Sequence, residues 1–184
     1  MAVRCHEFVN KDLSCASLFP GEARLLFDVH VESSVELIAR PDVVLLDLAA
    51  TSREAALRAL HRELAKEPAV KDGEQLLRDV LERVMVAPVC IAADVALPHA
   101  RTNAVDRIVL GVARLKDPGV GFDGEHPNIR LMFMIGTPRQ QVEEYLKLVA
   151  AISRLLRKPG ARQALLSAPT EEEFRALLAR GAAT

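Results

Sequence analysis

From Val43 onward, short apolar runs alternate with amphipathic helical stripes. A chain patterned this way can bury both kinds of element only by stacking helices on a shared sheet. Val43 to Leu48 is a short, mostly apolar run, as for a strand buried on both faces. Thr51 with Glu54 forms a capping box, and Leu57, Leu60 and Leu64 follow at three- and four-residue spacings. Asp72 can cap a second helix with Leu76, Leu77, Val80, Leu81 and Val84 on its inner face, closed by Pro88. Three strand-like runs come next, Ile91 to Leu97, Ile108 to Ala113 and Leu131 to Ile135. Gly119, Gly121, Gly124 and Pro127 mark a loop or hairpin between the last two. A long helix is expected from about Arg139 to Arg157, ending at Pro159-Gly160, with a shorter helix before Pro169. Thr170 with Glu173 opens a terminal helix that Gly181 should stop. The predicted fold class is α/β, a three-layer α/β/α sandwich with a central mixed β-sheet flanked by helices.

Residues 1 to about 40 carry no clear helical stripe. Phe8-Val9, Leu18-Phe19 and Leu25 to Val31 are apolar patches around the turn signal Pro20-Gly21, and the last could be a strand. An added arm and an oligomer contact, including a homo-oligomer, are both open readings of this segment.

The charge balance, Lys+Arg 24 against Asp+Glu 25, gives no electrostatic footprint for nucleic acid or an anionic membrane surface. Aromatic residues make up 4% of the chain and tryptophan is absent, which argues against base-stacking platforms. Neither a membrane-span-length apolar run nor a signal-peptide pattern is present, so a cytoplasmic protein is expected. Cys5, Cys15 and Cys90 have neither an even count nor CxxC spacing, and they read as buried or half-buried thiols. No histidine pair has HExxH-like spacing, no G-x-S-x-G elbow occurs and no phosphate-loop signature is found. Hence no metal and no cofactor are expected.

The chemistry concentrates in Val95-Ala-Leu-Pro-His-Ala-Arg101. An apolar run enters a Pro-His pair, so a strand ending on His99 would hold an imidazole at a sheet edge with the fixed φ of Pro98 behind it. Neutral imidazole is nucleophilic near pH 7, and Arg101 could screen a phosphoryl dianion formed on it. An exposed strand-end position for His99 is the working expectation. The other histidines receive plain readings. His6 and His30 lie in the N-terminal segment, His61 flanks a helix stripe, and His126 sits in the glycine-rich loop.

Val95 to Thr102 resembles the active-site segment of the type 2 enzyme IIA proteins of the bacterial phosphotransferase system. That family includes the fructose and mannitol IIA domains and the nitrogen-regulatory IIA-like proteins. Val43 to Leu48 is similar to the family's opening strand, and Ser52 to Leu57 to its first helix. Val109 to Leu115 and Arg130 to Ile135 are similar to its later strands, and Tyr145 to Arg157 to its long helix. Leu81-Glu82-Arg83 resembles the family's helix-ending segment, whose arginine precedes the phosphorylated histidine by sixteen residues, as Arg83 precedes His99. The resemblance divides the chain into an N-terminal extension, residues 1–35, and an enzyme IIA type 2-like domain, residues 36–181.

What the resemblance implies is specific. His99 would accept a phosphoryl group from the phosphohistidine of HPr or a paralogue and pass it to a cysteine of an enzyme IIB domain. Arg83 would clamp the phosphoryl oxygens, with Arg101 assisting. The family's Gly-Asn-Gly before the Pro-His pair is Ala92-Ala93-Asp94 here, a loss that could reshape the phosphate pocket. Regular strand alternation would instead point Asp94 away from His99. The family's second histidine, at the start of the long helix, is replaced by Tyr145, which still offers a hydrogen-bond donor. No IIB-like cysteine motif or membrane portion occurs in these residues, so IIB or a regulated protein is expected as a separate chain. The competing reading is a non-catalytic signalling module of the same fold that binds a kinase, transporter or transcription regulator.

Overall fold

The computed structural model describes residues 34–182. The apolar patches before residue 32, with Cys5, Cys15, His6 and His30, lie outside the described residues. In chain order the elements are α1 (Ser34–Ala39), β1 (Val43–Leu48), α2 (Arg53–Leu64), α3 (Gly73–Val86), β2 (Cys90–Ala92) and β3 (Val95–Ala96). They continue as β4 (His99–Thr102), β5 (Val109–Leu115), β6 (Leu131–Pro138), α4 (Val142–Arg157), α5 (Ala161–Ser167) and α6 (Glu171–Ala182).

The six strands form one mixed sheet in the order β1-β5-β6-β3-β2, with β4 also paired to β6. β5 and β6 pair antiparallel from Val109↔Gly136 to Arg114↔Leu131, whereas β1 runs parallel to β5. β3 and β4 both run parallel to β6. Every residue of β5 and β6 is buried, because helices cover both faces of the sheet. On one face, Leu110, Val112, Phe133 and Ile135 pack with Ile38 of α1, Ile152 of α4, Leu165 of α5 and Phe174 of α6. On the other, Val109, Ala113, Met132 and Met134 pack with Leu57, Leu60 and Leu64 of α2 and Leu76, Val80 and Val84 of α3. Each fully buried side chain of this size contributes about 1.5–3 kcal/mol of transfer free energy, so the two clusters hold the three layers together. The architecture is a three-layer α/β/α sandwich.

Several local expectations need correction. The run Ile91 to Leu97 is not one strand but an antiparallel hairpin, β2 and β3, turning at Ala93-Asp94. α1 forms where no stripe was read, and its Leu37 and Ile38 are buried. β1 is half-buried, since it lies at the sheet edge beside β5 alone. Ser52, not Thr51, caps α2, its hydroxyl accepting from the Ala55 N–H, whereas Asp72 caps α3 through the Gln75 N–H as its position indicates. α4 starts at Val142, three residues later than read, after a turn in which Gln141 N–H donates to Pro138 O. Gly181 does not stop α6, which runs to Ala182. A Cβ there would meet the buried Leu155 side chain, so this glycine serves helix packing.

Arg114, in β5, is buried and reaches two elements. Its Nε and Nη2 donate to Asp47 Oδ1 at 3.2 and 3.0 Å, and its Nη1 donates to the carbonyls of Leu165, Leu166 and Ala168. Those carbonyls belong to the C-terminal end of α5, where intrahelical donors run out. Asp47 sits at φ 54, a left-handed conformation that Asp tolerates better than most residues, beside a register shift in β1. Replacing Arg114 by Met should keep the apolar stem but leave these acceptors unpaired, at a cost of about 2–3 kcal/mol. Urea unfolding measures this, and Arg114→Lys should recover only part of the loss because it lacks the planar fork.

Candidate functional site

β3 and β4 keep the same offset along β6, with Val95↔Leu131 and Ala96↔Met132 followed by His99↔Ile135 and Arg101↔Thr137. They are one strand in register, interrupted at Leu97-Pro98, and His99 opens β4 rather than ending a strand. Pro98 lacks an N–H, yet its carbonyl still accepts from Ile135 N–H at 3.0 Å. Side-chain alternation survives the interruption. Val95 and Leu97 face the α4 layer, and Ala96 and Ala100 face α3. His99 therefore belongs to the α4 side, where its ring meets Tyr145 with centroids 5.3 Å apart at 35°. It is half-buried, not the exposed strand-end residue expected.

The acceptor that orients the imidazole is the carbonyl of Leu97, 2.9 Å from His99 Nδ1. A carbonyl only accepts, so Nδ1 carries the proton and Nε2 of the neutral ring keeps a free lone pair. Burial lowers the pKa of His99 below the ordinary histidine value; the Leu97 hydrogen bond opposes this and the Arg83 charge adds to it. The nucleophilic form of the ring is thus the favoured one near neutrality.

Arg83 lies in the last turn of α3. α3 can approach β4 closely because the surface beneath it is small. A Cβ on Gly136, the β6 partner of Ala100, would come within 3.0 Å of Leu76 and 2.9 Å of Val109. Arg83 Nη1 is buried and has no hydrogen-bond partner among the described residues. A buried guanidinium N–H left unpaired costs roughly 1–3 kcal/mol, so an oxyanion placed there is stabilised by the donor already waiting. Arg101 is exposed, and its Nη2 donates to Arg139 O at 3.4 Å. Burial raises the Tyr145 phenol pKa, while the charges of Arg83 and Arg101 act on it in the opposite direction. Both guanidinium groups therefore lie near the phenol.

His99, Arg83, Arg101 and Tyr145 line one open cavity of about 740 Å³. Ala100, Arg139, Asp79, Glu82 and Val86 complete it, and sequence reading missed all five as site residues. Arg139 was legible only through register: it follows Pro138, the β6 partner of Thr102, and so emerges beside Arg101. Asp79 is tethered by Gln75 Nε2 at 2.7 Å.

Ala92-Ala93-Asp94 lies elsewhere. These residues line a separate cavity of about 900 Å³ with Ser153, Arg157 and Arg162, and none of the four site residues reaches it. Asp94 Oδ1 is paired with Arg162 Nη1 at 2.6 Å, and Asp94 O accepts from the N–H groups of Arg130 and Leu131. The reshaped phosphate pocket raised as a consequence of losing the glycines is therefore not seen at His99. His61 is a packing residue, its ring Nε2 donating to Gly73 O at 2.7 Å between α2 and α3. Among the described residues, no helix is long and apolar enough to cross a membrane.

The site thus sets an oriented neutral histidine and three arginines around one cavity of an α/β/α sandwich. Residues 37–181 match the family model for the phosphoenolpyruvate-dependent sugar phosphotransferase system, EIIA 2, and the chain belongs to that family. The chain is 27% identical over 148 residues to the 2-O-alpha-mannosyl-D-glycerate-specific EIIABC component of Escherichia coli (strain K12), covering 79% of this chain and 22% of that protein. It is also 27% identical over 148 residues to the fructose-specific EIIA component of Haloferax volcanii, covering 80% of this chain and 96% of the relative. In fold it is similar to nitrogen regulatory protein IIA-Ntr from Neisseria meningitidis, at a TM-score of 0.66 and 20% identity, over 77% of this chain and 94% of that one.

Two measurements follow from the ring geometry. An NMR titration of His99 should give a midpoint below about 6.5, with the neutral ring in the Nδ1–H form. An Nε2–H tautomer would contradict the Leu97 hydrogen bond. Because the folded state resists protonation of His99, this contribution to stability is present above about pH 6.5. It is lost as pH falls through the lowered folded value, so urea midpoints should drop across that window.

Proposed function

We propose that this chain is a phosphoryl carrier whose acceptor atom is His99 Nε2. The observation that carries the reading is the combination of a His99 Nδ1 pinned by Leu97 and, lining the same cavity, Arg83, whose buried Nη1 has no partner among the described residues. The Nε2 lone pair attacks phosphorus, and the bond to the donor nitrogen breaks. The His99 proton stays on Nδ1, held by Leu97. Charge in such a transition state spreads over the three equatorial oxygens, where the Arg83 fork, Arg101 and Tyr145 can meet it. Passing the group to a thiolate reverses the geometry and regenerates the neutral ring.

The donor of this reading is the phosphohistidine of HPr or a paralogue, and the acceptor is the cysteine of an enzyme IIB chain. Val86, which lines the cavity, is 79% exposed. An exposed apolar side chain at the rim of a polar site suits a transient protein partner that must exclude water during transfer. Likeness to both a fructose-specific EIIA component and a nitrogen regulatory protein supports two uses of the same phosphohistidine, transport or regulation. The setting for either is the cytoplasm.

Incubation with phosphoenolpyruvate, enzyme I and HPr should give an acid-labile, base-stable phosphate, located at His99 by mass spectrometry. His99→Ala should abolish it while the circular dichroism spectrum is retained; phosphate on His61 or His126 would overturn the assignment. Arg83→Lys should slow transfer without abolishing it. Tyr145→Phe should slow it roughly tenfold, about 1.4 kcal/mol for one hydrogen bond to a charged group. Asp94→Gly should leave the rate unchanged, because Asp94 is paired to Arg162 in the other cavity.

A further inference from the structure

Away from His99, the loop between β5 and β6 folds back on β2 and brings together three groups of metal-ligating type. One ligand atom from each of Cys90, Asp123 and His126 lies within 4.8 Å of the other two. Cys90 is separated from the other two by more than thirty positions, so tertiary structure and not local sequence makes the cluster. We propose that Cys90, Asp123 and His126 form a binding site for one zinc-type divalent cation.

The donor set decides the class of ion. One thiolate, one imidazole and one carboxylate suit the borderline Zn²⁺, and exclude Mg²⁺ and Ca²⁺, which take oxygen ligands. A tetrahedral zinc with bonds of about 2.0–2.3 Å sets its ligands roughly 3.3–3.7 Å apart, so separations toward 4.8 Å must close and the 2.8 Å His126 Nδ1–Asp123 Oδ1 pair must open by less than an ångström. Asp123 is exposed, which leaves the fourth position open to water.

The groups are already organised around the carboxylate. Asp123 Oδ1 accepts the backbone N–H of Glu125 at 2.9 Å and of His126 at 2.8 Å. His126 Nδ1 lies 2.8 Å from the same oxygen. The backbone donors fix the carboxylate as outer-shell groups do at metal sites. Without metal, burial and the Asp123 charge push the Cys90 thiol up to about 12, with Arg53 opposing. The thiol therefore holds its proton until a cation displaces it. Arg53 is the positive group nearest the cluster in effect, and it is engaged with Phe122 O at 2.6 Å and Met85 Sδ at 3.4 Å. Binding balances as one Zn²⁺ taken up by ionised Asp123, neutral His126 and the Cys90 thiol, with one proton released from sulfur to solvent. The imidazole proton moves from Nδ1 to Nε2 if Nδ1 takes the metal.

The full-length, chelator-treated chain titrated with Co²⁺ tests this, because thiolate ligation gives a near-ultraviolet charge-transfer band. One equivalent of Co²⁺ should produce the band and Zn²⁺ should remove it. Cys90→Ser should abolish it, and His126→Ala, an exposed-loop change that spares the core, should weaken Co²⁺ binding at least tenfold. The Cys5→Ser/Cys15→Ser double variant should retain the band. Zn²⁺ should raise the thermal midpoint of the wild type but not of Cys90→Ser. A wild type without the band, or a band that survives Cys90→Ser or vanishes in the Cys5→Ser/Cys15→Ser variant, overturns the proposal.

Discussion

The hydrogen bond from His99 Nδ1 to the Leu97 carbonyl is the contact on which the site's chemistry depends. It is worth only about 0.5–1.5 kcal/mol as a contribution to stability, yet it selects which ring nitrogen is nucleophilic. The carbonyl is available because the β2–β3 ladder ends there. Leu97 N–H donates to Val89 O at 2.7 Å, and beyond it Pro98 has no N–H with which to continue on that edge. β4 nevertheless resumes on β6 in unbroken register, so the interruption costs little pairing and frees one acceptor. A helix would satisfy that carbonyl internally, and an uninterrupted ladder would satisfy it with a backbone donor. The strand break is the local device that reserves it for the imidazole.

Rigid surroundings make so weak a contact effective. β6 is buried along its whole length, so its register with β4 cannot slip without moving Phe133 and Ile135 into the opposite layer. α3 is held at a close distance by Leu76 against Gly136, and its last turn then delivers Arg83 to the cavity. Arg83 Nη1 arrives there buried and without a hydrogen-bond partner among the described residues. Helix and sheet are thus coupled most tightly at Gly136, where an added Cβ would crowd Leu76 of α3 and Val109 of β5, with buried Ala96, Ala100 and Ala104 in the same cluster.

Much of this was legible in the sequence because the signals are local. The stripe of α2, the Asp72 cap of α3 and the Thr170 hydroxyl accepting Glu173 N–H at the start of α6 follow from residue spacing. What was not legible depends on tertiary context. α1 is six residues, too short to show a stripe, and it forms because Leu37 and Ile38 are buried against the sheet. The hairpin at Ala93-Asp94 carries no glycine and uses no positive φ, so nothing local announced a turn inside an apolar run. Gly181 has the residue type of a helix stop, yet packing against Leu155 keeps it inside α6. The Leu97 acceptor is a backbone group, and backbone groups have no sequence signal at all.

The two departures from the family pattern do not have equal weight. Asp94 carries a charge, but Arg162 neutralises it at 2.6 Å in a different cavity, and a paired charge has little field left to act on His99. Tyr145 carries no charge at neutral pH, yet its ring packs against the His99 ring. A second histidine there could alternate between donor, acceptor and cation, whereas a phenol donates one hydrogen bond and stays neutral. The positive charge facing a phosphoryl group must then come from arginines. Arg83, Arg101 and Arg139 stand against Asp79 and Glu82 around the cavity, a formal balance of one positive charge. Replacing an imidazole by a phenol therefore removes a group that could change charge near neutrality, and leaves His99 as the titrating group of that kind in the cavity.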